Sequence, residues 1–177
     1  IIRIRYGLLP YIYSEYMKAV FNNDMYFSPL SFDFPDDAHA ASVEDQLMVG
    51  ESIMIAPVYT QNATGRYVYL PQDMLMVRMK SMENKSCQIM SKGHHYIDIP
   101  LNELVFFVKK NHMLPLAAID DSVRSTADCH FHRPDSDYEW IGFADESAEY
   151  MLYDDDGSTK SYTPKDQWIK IVRSAKE

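Results

Sequence analysis

A chain of 177 residues, 46% hydrophobic and 24% charged, is long enough for one sizeable domain or two small ones and apolar enough for a real core. Its net charge of −9, from 26 acidic against 17 basic residues, argues against nucleic acid or an anionic membrane as partner, since both require a basic surface. No apolar run approaches bilayer length and the N-terminus lacks the form of a secretory signal, so the cytoplasm is the expected location.

The first element predicted is a helix. Ile1, Ile4, Leu8, Ile12, Tyr16 and Val20 recur at helical spacing, widened by Leu9, Tyr13 and Met17. Ser14, Glu15, Lys18 and Asn22 fall on the opposite face, and Asn22-Asn23-Asp24 ends the pattern. No capping residue precedes Ser14, so a longer helix kinked at Pro10 and starting upstream of Ile1 is expected. Met25 to Phe34 reads as extended. Ser42-Val43-Glu44-Asp45 has the form of a capping box opening a short helix through Leu47. The apolar run Ile53 to Val58 then reads as a strand buried on both faces, as in a parallel α/β sheet.

From Tyr59 the texture becomes short alternating runs separated by turn residues. Strands are expected at Tyr67–Leu70, Leu75–Met79, Cys87–Met90, Tyr96–Leu101 and Leu104–Val108. A polar stretch from Asp120 to Asp137 reads as a linker, and three more strands follow at Glu139–Ala144, Glu149–Tyr153 and Trp168–Arg173. The expected architecture is therefore mainly β: antiparallel sandwich domains preceded by an α/β remnant. The divisions fall at 1–58, 59–119 and 120–177.

Candidate chemistry is sparse. Asp154-Asp155-Asp156-Gly157 suggests calcium, but an EF-hand loop opened at Asp154 would place Lys165 where its closing glutamate belongs, so an acidic hairpin turn is the better reading. Cys129-His130-Phe131-His132 and His94-His95 lack the paired spacing of zinc sites. No metal and no cofactor is expected. Cys87 and Cys129 read as free thiols, with one bridge between them as the alternative, and the sequons at Asn62 and Asn84 read as chance matches. Asp33, Asp36, Asp37, Glu44 and Asp45 are the carboxylates available for glycoside hydrolysis, but they lie in turns or at a helix start, and spacing selects no pair. Tyr67, Tyr69, Tyr96 and Tyr138 are candidates to stack on sugar faces; packing strands together is their other use.

The order of motifs resembles the C-terminal part of glycoside hydrolase family 31, the α-glucosidases and α-xylosidases. Arg5-Tyr6-Gly7-Leu8-Leu9-Pro10-Tyr11-Ile12-Tyr13 resembles the R-Y-x-L-L-P-Y-x-Y helix near the end of that family's catalytic barrel. Pro29 to Asp37 is similar to its P-L-x-x-x-(F/Y)-P-x-D segment. Asp45-Gln46-Leu47-Met48-Val49-Gly50 and Ile53 to Val58 match its D-Q-(F/L)-M-x-G and A-P-V block. Tyr69-Leu70-Pro71 resembles its first sandwich strands, and Tyr153 to Gly157 with Tyr162 its distal hairpin. Ser28 in place of Arg and Met74-Leu75-Met76 in place of Trp-Tyr depart from the pattern and bear on substrate preference.

The resemblance implies that residues 1–58 are the end of a (β/α)8 barrel. It also implies that the chain is the C-terminal fragment of a retaining α-glucosidase acting on α-linked gluco-oligosaccharides. The family's nucleophilic Asp, acid/base Asp and substrate-binding His precede the L-L-P-Y helix, so no catalytic or substrate-binding residue carries over. The chain is then expected to be inactive alone, bracing the barrel in the whole enzyme. The exposed helix is expected to pack onto the sandwich, to disorder, or to form a dimer. The alternative reading is a stand-alone β-sandwich that binds a glycan or a protein partner.

Overall fold

The computed structural model describes residues 1–119, 138–155 and 167–175. The expected helix is present as two pieces, α1 (Ile2–Gly7) and α2 (Leu9–Asn22). The break falls at Leu8 rather than Pro10. Proline has no N–H and its ring excludes the carbonyl four residues earlier, so the strain surfaces in the turn before it. Asn23 closes α2 with a left-handed backbone at φ 54°, as the polar run Asn22 to Asp24 predicts.

The next segment corrects two expectations. Only Phe27–Pro29 is a strand (β1), and Leu30–Asp33 turns into a short helix, α3. No helix follows the capping-box pattern either. Ser42 instead ends a 3-10 turn (Ala40–Ser42), Val43 is extended, and Leu47–Val49 is β2. A strand wins there because Gln46 is drawn onto the backbone of Tyr69, which fixes the segment in extended form.

The remaining strands are β3 (Ile53–Ile55), β4 (Gly65–Leu70), β5 (Met74–Met79), β6 (Lys85–Met90), β7 (Gly93–Asp98), β8 (Leu104–Lys109), β9 (His112–Ala117), β10 (Tyr138–Phe143), β11 (Ser147–Tyr153) and β12 (Trp168–Ser174). All pairings are antiparallel. β9 is not anticipated from sequence because Pro115 reads as a breaker. It is tolerated because, among the described residues, β9 pairs with β10 alone in a two-stranded sheet, leaving the proline's missing donor on the other edge.

A six-stranded sheet, ordered β1-β2-β3-β8-β5-β6, forms the middle layer. Its side chains alternate between two cores. Leu75, Val77, Phe106 and Val108 face a cluster containing Ile4, Tyr11, Leu114, Ile141 and Tyr150. Met74, Met76, Val105 and Phe107 face the other way, against Leu30, Val68, Leu70 and Ile97. The β4–β7 pair and α3 thus cover one face, while α1, α2, β9–β10 and β11–β12 cover the other. Each large side chain buried this way contributes about 1.5–3 kcal/mol.

This layering corrects the reading of Ile53 to Val58 as a parallel strand. β3 runs antiparallel to both β2 and β8. A continuous apolar run reports burial on both faces, and here an antiparallel central sheet supplies that burial without a crossover helix.

Candidate functional site

Three of the five carboxylates available for chemistry, Asp33, Asp37 and Asp45, are engaged as structural anions. Asp33 accepts a hydrogen bond from the Ser28 hydroxyl at 2.9 Å and pairs with Lys109 at 3.0 Å. Asp45 pairs with Arg66 at 2.5 Å and accepts from the Tyr59 hydroxyl at 3.1 Å, while the same guanidinium donates to Pro57 O at 2.8 Å. Asp36 and Glu44 are exposed. Asp37 gathers four donors: Lys92 Nζ at 2.6 Å, Tyr69 hydroxyl at 2.7 Å, and the backbone N–H groups of His39 and Ala40 at 3.0 and 3.2 Å.

The ammonium of Lys92, followed by the Tyr69 hydroxyl, holds the Asp37 carboxyl well below the usual carboxylate range. A general acid in glycoside hydrolysis needs the opposite shift, so that it keeps its proton near neutral pH. Asp37 stays ionised and serves as a hub joining the segment after α3 to β4 and the turn before β7.

Gln46 makes the second join. Its amide nitrogen donates to Tyr69 O and its amide oxygen accepts from Tyr69 N, both at 2.7 Å and both buried. Gln46 thus pairs with β4 as a neighbouring strand would. Gln46→Leu is expected to strip one buried donor and one buried acceptor of their partners, costing about 2 kcal/mol. Thermal denaturation is the check: the midpoint should fall by roughly 4–8 °C, and an unchanged midpoint would contradict this role.

The third cluster was not legible from periodicity. Ser14 and Glu15, placed by sequence on the face opposite the apolar stripe, are buried at 0% and 3% exposure. Tyr16 and Val20, placed in the apolar stripe, are 52% and 53% exposed. α2 packs against β9 and β11, and it is β11 and the turn between β2 and β3 that meet Ser14 and Glu15. Glu15 Oε1 accepts from Lys18 Nζ at 2.8 Å and from the Tyr150 hydroxyl at 2.7 Å. Its Oε2 accepts from the Glu51 backbone N–H at 2.9 Å.

One turn earlier, the Tyr11 hydroxyl donates to Val49 O at 2.5 Å and accepts from Ser52 and Ile53 N–H at 3.1 and 3.2 Å. Ser14 donates back to Pro10 O at 2.7 Å and accepts from Tyr153 N–H at 2.9 Å. Burial first, and then the Glu15 charge, hold the Tyr11 and Tyr150 phenols well above the ordinary tyrosine value. Both therefore remain neutral donors at any ordinary pH.

The other candidates divide. Tyr13 donates to Asp155 Oδ2 at 2.6 Å, which gives part of the acidic hairpin a structural use; Asp156 and Gly157 lie outside the described residues. His95 Nε2 bonds Ser91 O at 2.8 Å, and His94 packs against the rings of Tyr69 and His39. Cys87 is a free, exposed thiol, and Cys129-His130-Phe131-His132 lies outside the described residues. Among the described residues no three His, Cys, Asp or Glu side chains come together as a metal site. Tyr69 and Tyr138 are buried, whereas Tyr67 and Tyr96 are exposed.

These clusters do one kind of work: they tie a helix, a hairpin turn and the β-sheets into one body. The description "Glycosyl hydrolase family 31 C-terminal domain" matches residues 23–114. Alpha-glucosidase 2 of Bacillus thermoamyloliquefaciens is 32% identical over 166 residues, covering 93% of this chain and 20% of the relative. Neutral alpha-glucosidase AB of Mus musculus is 27% identical over 171 residues, covering 93% of this chain and 17% of the relative. A crystal structure of the glucosidase II alpha subunit superposes with a TM-score of 0.76 at 23% identity, over 95% of this chain and 18% of that one, which is a likeness of fold. The chain therefore spans no more than 20% of the length of these curated relatives.

Proposed function

Because the chain belongs to glycosyl hydrolase family 31, whose C-terminal domain it contains, we propose that it is the non-catalytic tail of a retaining α-glucosidase. The proposed parent enzyme hydrolyses terminal α-glucosidic bonds of oligosaccharides. In retaining enzymes two carboxyl groups about 5–5.5 Å apart act through a covalent glycosyl-enzyme intermediate.

The observation that carries the non-catalytic reading is the state of the carboxylates. Asp33, Asp37 and Asp45 are each neutralised by Lys or Arg at 2.5–3.0 Å, and Asp37 is pushed in the wrong direction for an acid catalyst. Glu15, the most deeply buried of them, is consumed by the helix junction.

The bracing reading rests on the apolar side chains that the fold leaves outside. Tyr16, Val20, Met25, Phe27 and Phe32 are 49–65% exposed on α2 and the segment that follows it. An apolar surface of this kind is where a further part of a larger protein seats. The Glu15 junction then transmits that seat to the sheets.

A chromogenic α-glucoside assay on the purified chain tests the proposal. Turnover indistinguishable from buffer is the expected result. Robust, concentration-dependent hydrolysis would overturn it.

A further inference from the structure

The outer face of the β4–β7 pair carries a row of side chains placed by register. Tyr67 stands opposite Tyr96, Tyr69 opposite His94, and Gly65 opposite Asp98. Strand alternation sends Val68 and Ile97 into the core, at 1% and 4% exposure, and directs this row the other way. Tyr69 is covered there by His39 and held by Asp37. Tyr67 and Tyr96 are covered by nothing among the described residues and are 73% and 54% exposed.

The two rings form a corner. Their centroids are 5.1 Å apart and their planes meet at 73°, so one ring stands against the other. A β-carbon on Gly65 would come 2.5 Å from the Ile97 carbonyl oxygen and 3.0 Å from the Tyr96 hydroxyl, so the absence of a side chain there lets β7 approach closely, with Tyr96 alongside. Neither phenol hydroxyl, nor the exposed carboxylate of Asp98 beside them, makes a hydrogen bond or ion pair among the described residues. The nearby cations are already used: Arg66 by Asp45, Lys92 by Asp37, and Arg78, which donates to the Asp98 carbonyl at 2.7 Å, by Glu103.

We propose that Tyr67, Tyr96 and Asp98 form a non-catalytic platform for a neutral gluco-oligosaccharide; this rests on the glycosidase reading above. A pyranose offers what the corner lacks: an apolar C–H face for a ring, and hydroxyls that donate to the carboxylate and exchange bonds with the phenols. An anionic ligand is disfavoured by Asp98 and by the net charge of −9. A purely apolar partner would bury three polar groups without satisfying them.

The test is NMR of the whole chain with isotope-labelled tyrosine rings, titrated with maltotetraose. Of the 13 tyrosines, only Tyr67 and Tyr96 are expected to shift, with a saturating, concentration-dependent response. Tyr67→Ala is expected to weaken binding about ten-fold, and Tyr67→Phe much less; the position is exposed, and unchanged remaining tyrosine resonances show that the fold is intact. Oligogalacturonate, an anionic control, is expected to produce no shift. No shift with maltotetraose, shifts confined to other tyrosines, or unweakened binding by Tyr67→Ala would overturn the platform. Shifts that follow protein concentration rather than sugar would assign the face to a second copy and overturn it equally. None of these outcomes bears on the chromogenic assay, which reads catalysis alone.

Discussion

Glu15→Ala is expected to lower the thermal midpoint of the chain by roughly 8–16 °C. The cost is about 4 kcal/mol, because removing one member of a buried, hydrogen-bonded charge cluster strands the others. Tyr150 loses the acceptor for its buried hydroxyl, Glu51 loses the acceptor for its N–H, and Lys18 keeps only Glu51, at 2.6 Å. Lys18 also sits 4.1 Å from the Tyr150 ring centroid, so its charge stays in place after the carboxylate has gone. Glu15→Gln retains the shape and an acceptor oxygen and should cost less. Calorimetry on the three proteins is the check, and a Glu15→Ala midpoint within a degree or two of the parent would contradict this account.

Gly50→Ala is the second large effect, expected at about 3 kcal/mol. Gly50 has φ +62°, a left-handed conformation that costs a residue with a β-carbon about 1 kcal/mol. The remainder comes from Glu15, whose Oε2 and Cγ would lie 2.2 and 2.3 Å from the new β-carbon. Glu15 cannot swing aside without breaking its bonds to Tyr150 and Glu51. The two substitutions should therefore be coupled. In the double variant Glu15→Ala, Gly50→Ala, the clash is absent, and the loss should fall short of the sum by about 1 kcal/mol or more. Strict additivity in a double-mutant cycle would show that the helix and the turn do not share this contact.

Much of the β architecture was legible because strands announce themselves by apolar runs and turn residues. Tyr67–Leu70, Leu75–Met79 and Leu104–Val108 all lie within observed strands. Strand direction was not legible in Ile53 to Val58, since burial on both faces writes the same sequence in parallel and antiparallel sheets. Pro115 concealed β9 because sequence does not say which edge of a strand is open. The helix was placed correctly and oriented in part: Ile4, Leu8, Leu9 and Met17 of its apolar stripe are buried, but so are Ser14 and Glu15, while Tyr16 and Val20 are exposed. An amphipathic pattern assumes one apolar partner and one watery side, whereas α2 meets β11 and the β2–β3 turn through Ser14 and Glu15. The closely spaced Glu15 and Lys18, and Ser14 one turn after Pro10, were the only local hints.

The motifs that carried the family resemblance prove to be joints. Tyr11 of the L-L-P-Y segment holds the β2–β3 turn by three bonds, Gln46 of the D-Q pair holds β4 by two, and Asp37 of the P-x-D segment binds Lys92 and Tyr69. A residue type that supplies acids and bases elsewhere is used here for assembly.

Amide hydrogen exchange on the chain tests most directly whether helix and sheets form a single bracing body. The account predicts that amides in the second half of α2 and those of β11 and β12 open together, with one free energy close to that of global unfolding, and that Glu15→Ala lowers protection in all three elements at once. Rapid exchange of α2 while β11 and β12 stay fully protected, unaltered by Glu15→Ala, would show that the helix is an appendage and contradict the account.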